Sequence, residues 1–248
     1  MEYPITITNS TLKITDNKLI TKYVNDFVLG DGCLYIPVKK GRANKNVTAI
    51  FDCGQLKKNE DYILWRADIL SNITSVHIKE KQATSLMLYT ETNRHPIFSH
   101  VRERVYPNNH KVVDPHYLKL FDAESLAILY QDDGSLSHKG KNQYNLVIST
   151  EGFSYGDNIL LQRMLKDKFD ILFSVLGYRG KTNNLLYRLQ LQKKELQYKF
   201  LEIVTPYIKS SFEYKLDMTT TESSAILVDG DIVWTGRNNN VQSYLEIK

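Results

Sequence analysis

Residues 24–32, VNDFVLGDG, close a helical pattern on an aspartate and a glycine, and residues 126–134, LAILYQDDG, do the same in the second half. In the first, Leu19, Ile20, Tyr23, Val24, Phe27 and Val28 recur at the spacing of one helix face from Asp16 onward. In the second, Asp122 is placed to cap the helix that runs to Asp133. An isolated Asp-Gly after an apolar helix is most often only a stop signal, in which glycine takes the left-handed position beyond the last turn. Two such stops at matching positions point to something more specific.

Working outward, the same order of elements follows each of them. After Gly32, residues 33–53 give two β-rich runs around a Gly-, Asn- and Lys-rich turn, with Cys33 and Cys53 expected to face each other as reduced thiols. Asn59 is placed as the N-cap of a helix that has Glu60 and Asp61 in its first turn. A hairpin over residues 73–90 and a helix over residues 94–105 complete the first unit. After Gly134 come a hairpin over residues 135–150, a helix opened by a capping box of Ser154 and Asp157, a hairpin turning near Gly180, and a closing helix over residues 195–208. The expected fold is α+β, a pseudo-two-fold duplication of αββαββα units. Residues 1–110 form the first unit, 111–121 the linker, 122–216 the second unit, and 217–248 an extension with a hairpin at Asp229-Gly230.

The 248 residues can bury a substantial core, and the two cysteines are too few for a disulfide framework. No apolar run approaches the ~20 residues of a membrane span, and the N-terminus lacks the profile of a secretory signal. The expectation is a protein located inside the cell or an organelle. The six histidines form no His-Glu-x-x-His motif and the cysteines no Cys-x-x-Cys pair, so a zinc site is not expected. A net charge of +4 is mild, but its distribution is uneven: Lys39, Lys40, Arg42 and Lys45 fall in residues 36–49, and Arg179, Lys181 and Arg188 in residues 171–194, with no acid in either stretch. With Lys139 and Lys141 on a third hairpin, these basic side chains suit a face that neutralises phosphates, the alternative being a solvated lysine-rich surface.

The paired motifs resemble those of the LAGLIDADG homing endonucleases, in the single-chain branch whose second motif ends in Asp-Asp-Gly, and the resemblance covers residues 17–216. It implies a site-specific DNA endonuclease, acting as a monomer on a long asymmetric duplex. Its motif helices would pack at the centre of two saddle-shaped antiparallel sheets lying in the major groove, which a β-ribbon fits, so the basic hairpin residues become the DNA-binding candidates. It further implies that Asp31 and Asp133 bind Mg²⁺, with Mn²⁺ accepted, beside the peptide carbonyls of Gly30 and Asp132. Lys111 and Lys215 stand where the family places basic residues around the catalytic water, Gln55 where it places a polar residue, and Gln190 or Gln192 would be the counterpart of Gln55. The sequence departs from the pattern at the third motif position, usually small, which holds Asp26 in one helix and Ile128 in the other. The alternative is a non-catalytic relative, such as an intron maturase with intron RNA as partner. A self-splicing intein is disfavoured because Met1 is not followed by Cys or Ser and the ending YLEIK lacks His-Asn; an intron-encoded or free-standing reading frame is expected instead.

Overall fold

A computed structural model of the chain describes residues 2–37, 48–82, 84–140, 143–218, 224–228 and 231–235, the last two segments and residues 139–140 by their backbone alone. Its first unit runs β1 (Ile5–Ile7), α1 (Asn17–Leu29), β2 (Cys33–Tyr35), β3 (Ile50–Leu56), α2 (Glu60–Leu70), β4 (Val76–Gln82), β5 (Leu86–Thr92) and α3 (Pro96–Val105). A connection carrying the short helix α4 (Pro115–Leu118) leads to α5 (Ala123–Asp133), β6 (Gly134–Gly140), β7 (Gln143–Ile148), α6 (Tyr155–Phe169), β8 (Ser174–Arg179), β9 (Leu185–Leu191) and α7 (Lys194–Val204). A separate hairpin of β10 (Ser224–Val228) and β11 (Asp231–Thr235) follows, where the sequence places it.

The duplication is visible in the sheets. The second is ordered β6-β7-β9-β8, and the first repeats that order as β2-β3-β5-β4. All pairings are antiparallel. The first sheet gains a fifth strand that the sequence reading omits: β1 pairs with the edge strand β4, Ile5 opposite Ile78 and Ile7 opposite Val76.

Local signals decide where the helices start. Asp16 accepts from the Lys18 amide at 2.8 Å, Asp122 from the Ser125 amide at 2.9 Å, and the Ser154–Asp157 capping box is complete. Asn59 holds the N-cap position of α2 without capping it; its amide instead donates to Oε1 of Gln55 at 3.1 Å. The cysteines do not meet. Cys33 is opposite Asp52 in the register, so side-chain alternation puts Cys33 on the exposed face and Cys53 in the core.

Each sheet covers a core of its own, and the motif helices cross-link the two. Leu29, from α1, packs in the second unit's core with Leu126, Leu146 and Phe200, while Ile128, from α5, packs in the first unit's core with Phe27, Phe51 and Val101. The bulky residue at the third motif position of α5 therefore fills its partner's core instead of separating the helices. At the matching position of α1, buried Asp26 accepts a 2.7 Å hydrogen bond from Oγ of Ser125 on α5. Nζ of Lys22 lies 3.1 Å from both Asp26 and Asp122, which carries the contact to the start of α5. Among the described residues no helix is long and apolar enough to cross a membrane.

Candidate active site

The two Asp-Gly ends meet where the motif helices stop, and they stop differently. Asp133 is the last residue of α5, whereas Asp31 lies beyond Gly30, the cap residue of α1. Neither Gly30 nor Gly134 takes the left-handed conformation of an ordinary helix stop: φ is −84° at Gly30 and −83° at Gly134. Space is what these glycines supply. A Cβ on Gly30 would stand 2.7 Å from Cβ of Asp132, and one on Gly134 would stand 2.5 Å from Cε2 of Tyr130.

The room left by Gly30 is filled by the Asp132 side chain, which is wholly buried. Its Oδ2 accepts from the Asp31 amide at 3.2 Å, and its Oδ1 lies 3.4 Å from Nε2 of Gln55. The same Gln55 nitrogen donates to Oδ2 of Asp31 at 2.5 Å, so one glutamine at the end of β3 holds both carboxylates. Two lysines close over the helix ends. Lys111 Nζ donates to the carbonyl of Gly30 at 2.6 Å, and Lys215 Nζ donates to those of Gln131 at 2.6 Å and Tyr130 at 3.1 Å. Ammonium groups at helix C-termini meet the negative end of the helix dipole.

The charges are mutually adjusted. Burial first, then the neighbouring Asp132, pushes the Asp31 carboxyl up to about 6; burial, then Asp31 and Asp132, pushes Asp133 up to about 7. Burial raises Asp132 as well, against the nearby charge of Arg66. Lys215 is lowered to about 8 and Lys111 is also lowered, in each case chiefly by burial and against the pull of the aspartates. Clusters of groups perturbed by burial and by one another are characteristic of functional sites, and this one is a candidate on that ground.

The second unit does not copy the glutamine. The register that sets Asp52 opposite Cys33 sets Val147 opposite Ser135, and the same offset carries Gln55 to Thr150. Thr150 is buried and donates to Oδ1 of Asn158 at 2.5 Å. Gln190 is engaged instead with the Asn145 side chain and pairs in the sheet with Val147 and Ser174, while Gln192 is exposed beyond β9.

Of the expected DNA-binding residues, Lys39, Lys40, Arg42, Lys45 and Lys141 lie outside the described residues, and Lys139 is described by its backbone in β6 alone. Arg179 and Lys181 are exposed at the tip of the β8–β9 hairpin, where Arg179 also holds Asn183. Arg188 lies farther down β9, 5.0 Å from the centre of the Tyr178 ring. The first sheet adds Lys79 and Lys81, exposed on alternate positions of β4. Alternation in VHIKEKQ marks that face in the sequence, but Glu80 between the lysines hides it from a search for acid-free runs.

The LAGLIDADG DNA endonuclease family profile matches residues 27–227. The chain belongs to this family. An uncharacterized protein of Methanocaldococcus jannaschii is 28% identical over 195 residues, 78% of this chain and 72% of its own. The RecA protein of Mycolicibacterium flavescens is 28% identical over 199 residues, 76% of this chain but 44% of its own, so the chain spans less than half the length of that relative. Among solved structures, the homing endonuclease I-WcaI bound to its DNA recognition sequence shares the fold at a TM-score of 0.66 and 21% identity, covering 84% of this chain and 90% of its own. The LAGLIDADG homing endonuclease I-GzeII in complex with its DNA target does so at 0.53 and 12%, covering 79% of this chain and 86% of its own. The fold class is that of the homing endonucleases, α+β with two antiparallel sheets.

Proposed function

We propose that this chain is a site-specific DNA endonuclease of the single-chain, two-repeat kind, and that it makes a metal-dependent double-strand break in a long asymmetric duplex. The observation that carries the reading is the junction itself: Asp31, Asp132 and Asp133 gathered at two helix ends, with Gln55 bridging Asp31 to Asp132 and a lysine over each helix.

Among the described residues no group of three or more His, Cys, Asp or Glu side chains is arranged to hold a metal ion. Mg²⁺ does not require such a cage, since it binds through one or two carboxylates and keeps several waters. The donor set fits it. Burial, and after it the mutual repulsion of the aspartates, raises Asp31 and Asp133; a divalent cation would relieve that repulsion, and Asp31 and Asp133 would hold it beside the peptide oxygens of Gly30 and Asp132. When bound, the ion lowers the pKa of a coordinated water and offsets the charge developing on the phosphate. Mn²⁺ would serve in its place.

The chain's own groups then divide the work. Gln55 orients the Asp31 carboxylate. Lys111 and Lys215 would place positive charge beside the phosphate, and the lowering of Lys215 by burial to about 8 would suit it to proton transfer near neutral pH. The two sheets, with Lys79, Lys81, Arg179, Lys181 and Arg188 and the basic residues of the 36–49 and 139–141 stretches, would lie along the major groove. Two non-identical repeats in one chain need not read a palindrome, so a monomer suffices. The domain limits follow that scheme: residues 1–110, a linker over 111–121, and residues 122–216.

The direct experiment offers the protein a library of randomised duplexes with Mg²⁺, Mn²⁺ or a chelator and sequences the ends produced. Cleavage at one sequence class, dependent on the cation, is expected. No nicking of any duplex, with metal-independent binding to structured RNA, would move the chain to the maturase reading.

A further inference from the structure

Arg66 sits in the middle of α2 with a side chain wholly shielded from solvent. Among the described residues none accepts a hydrogen bond from any of its three guanidinium nitrogens. The rings of Tyr62, Phe27 and Phe51 surround it at 5.3, 6.0 and 6.0 Å from the guanidinium carbon. Its nearest counter-charge is Asp132 Oδ1, 4.0 Å away and equally buried. A buried arginine without hydrogen bonds is costly unless its charge is used, and an ion pair in its place is seldom a net source of stability. The second unit shows that the fold does not need it: the offset that carries Gln55 to Thr150 carries Arg66 to Leu161, a buried core residue.

We propose that Arg66 is a positioning residue for the first half of the catalytic centre. Its charge draws the Asp132 carboxylate inward into the space left by Gly30, where that carboxylate grips the Asp31 amide and lies beside the Gln55 amide. The Asp31 carboxylate is thereby fixed from two sides, through its own backbone and through Gln55. Among the described residues Asp133 lacks the counterpart of this support, since Leu161 and Thr150 occupy the matching places. The two halves of the centre are therefore built unequally, and loss of Arg66 slows the cutting of one strand more than the other. Since no described residue accepts a hydrogen bond from the guanidinium, its role is that of a charge, and lysine would replace it.

The inference rests on the endonuclease reading for its strand effect but not for the link between Arg66 and Asp132, so two measurements test it. The first is unfolding of the metal-free chain in a double-mutant cycle. Arg66→Met is expected to lower the folding equilibrium constant by about a hundred-fold or more, and by less than about ten-fold when Asp132→Ala is already present, as for a buried pair whose partner is left uncompensated. Equal losses in both backgrounds would overturn the link. The second is nicking of each strand of a cleaved duplex. Arg66→Met is expected to slow one strand at least about ten-fold more than the other, and Arg66→Lys to restore the ratio. Equal slowing of both strands, or failure of lysine where methionine also fails, would reduce Arg66 to a packing residue. If the parent chain cuts no duplex, the endonuclease reading fails and the unfolding cycle alone decides the role of Arg66.

Discussion

The side-chain amide of Gln55 donates to Oδ2 of Asp31 at 2.5 Å, from a strand of the same repeat but a different element, and its carbonyl is held in turn by Asn59. The motif end is held by these contacts: Asp31, beyond the last helical residue of α1, is anchored by β3 and by the start of α2.

Replacing Gln55 by alanine should leave the fold intact and lower metal-dependent cleavage about 10- to 100-fold, the usual cost of removing a group that orients a metal ligand. Replacing Thr150, which stands at the matching place, should affect stability but not the metal dependence. Cleavage titrated against Mg²⁺ for both variants checks this.

Gly30→Ala should be severely disruptive, because the new methyl group meets Asp132 at 2.7 Å. The same substitution should add little further loss in an Asp132→Gly background, which is itself destabilised by the loss of the counter-charge to Arg66, since the obstacle is gone. Thermal unfolding of the two single variants and the double variant reads the difference.

The carboxyls of Asp31 and Asp133, raised to about 6 and about 7, give a signed pH dependence. Between the ordinary carboxylate range and these values the folded chain holds protons that the unfolded chain has released, so metal-free stability falls as pH rises from about 4 through 7. A divalent cation competes with those protons. The rise in Tm on adding Mg²⁺ should be larger at pH 8 than at pH 5.5, and calorimetric scans at the two values test it.

Ser125→Ala removes the hydroxyl that crosses from α5 to the buried carboxylate of Asp26. A loss of about 1–3 kcal/mol is expected for a buried acceptor left short of a partner, measured by denaturant unfolding.

The repeat, the helices and their caps were legible because they rest on local signals: apolar periodicity, Asp122 before α5, the Ser154–Asp157 box. Asp31, Asp133, Lys111, Lys215 and Gln55 were legible because two matching stops and a family pattern single them out. What escaped depends on contacts between distant segments. Strand β1 is only three residues long and is held by pairing with β4. Asp26 and Ile128 look like obstacles in the motif, yet one finds Ser125 and Lys22 and the other fills the opposite core. Gln190 was a poor counterpart for Gln55 because register, not residue type, decides equivalence, and register puts Thr150 there. Arg66 sits among apolar residues of an ordinary helix, and nothing local sets its charge apart.

The most direct test of the central claim is cleavage of the cognate duplex by the Asp31→Asn, Asp133→Asn double variant in Mg²⁺, alongside its binding to the same duplex in Ca²⁺. The account predicts that binding stays within a few-fold of the parent while double-strand cleavage disappears. Full Mg²⁺-dependent cutting by the double variant would contradict it.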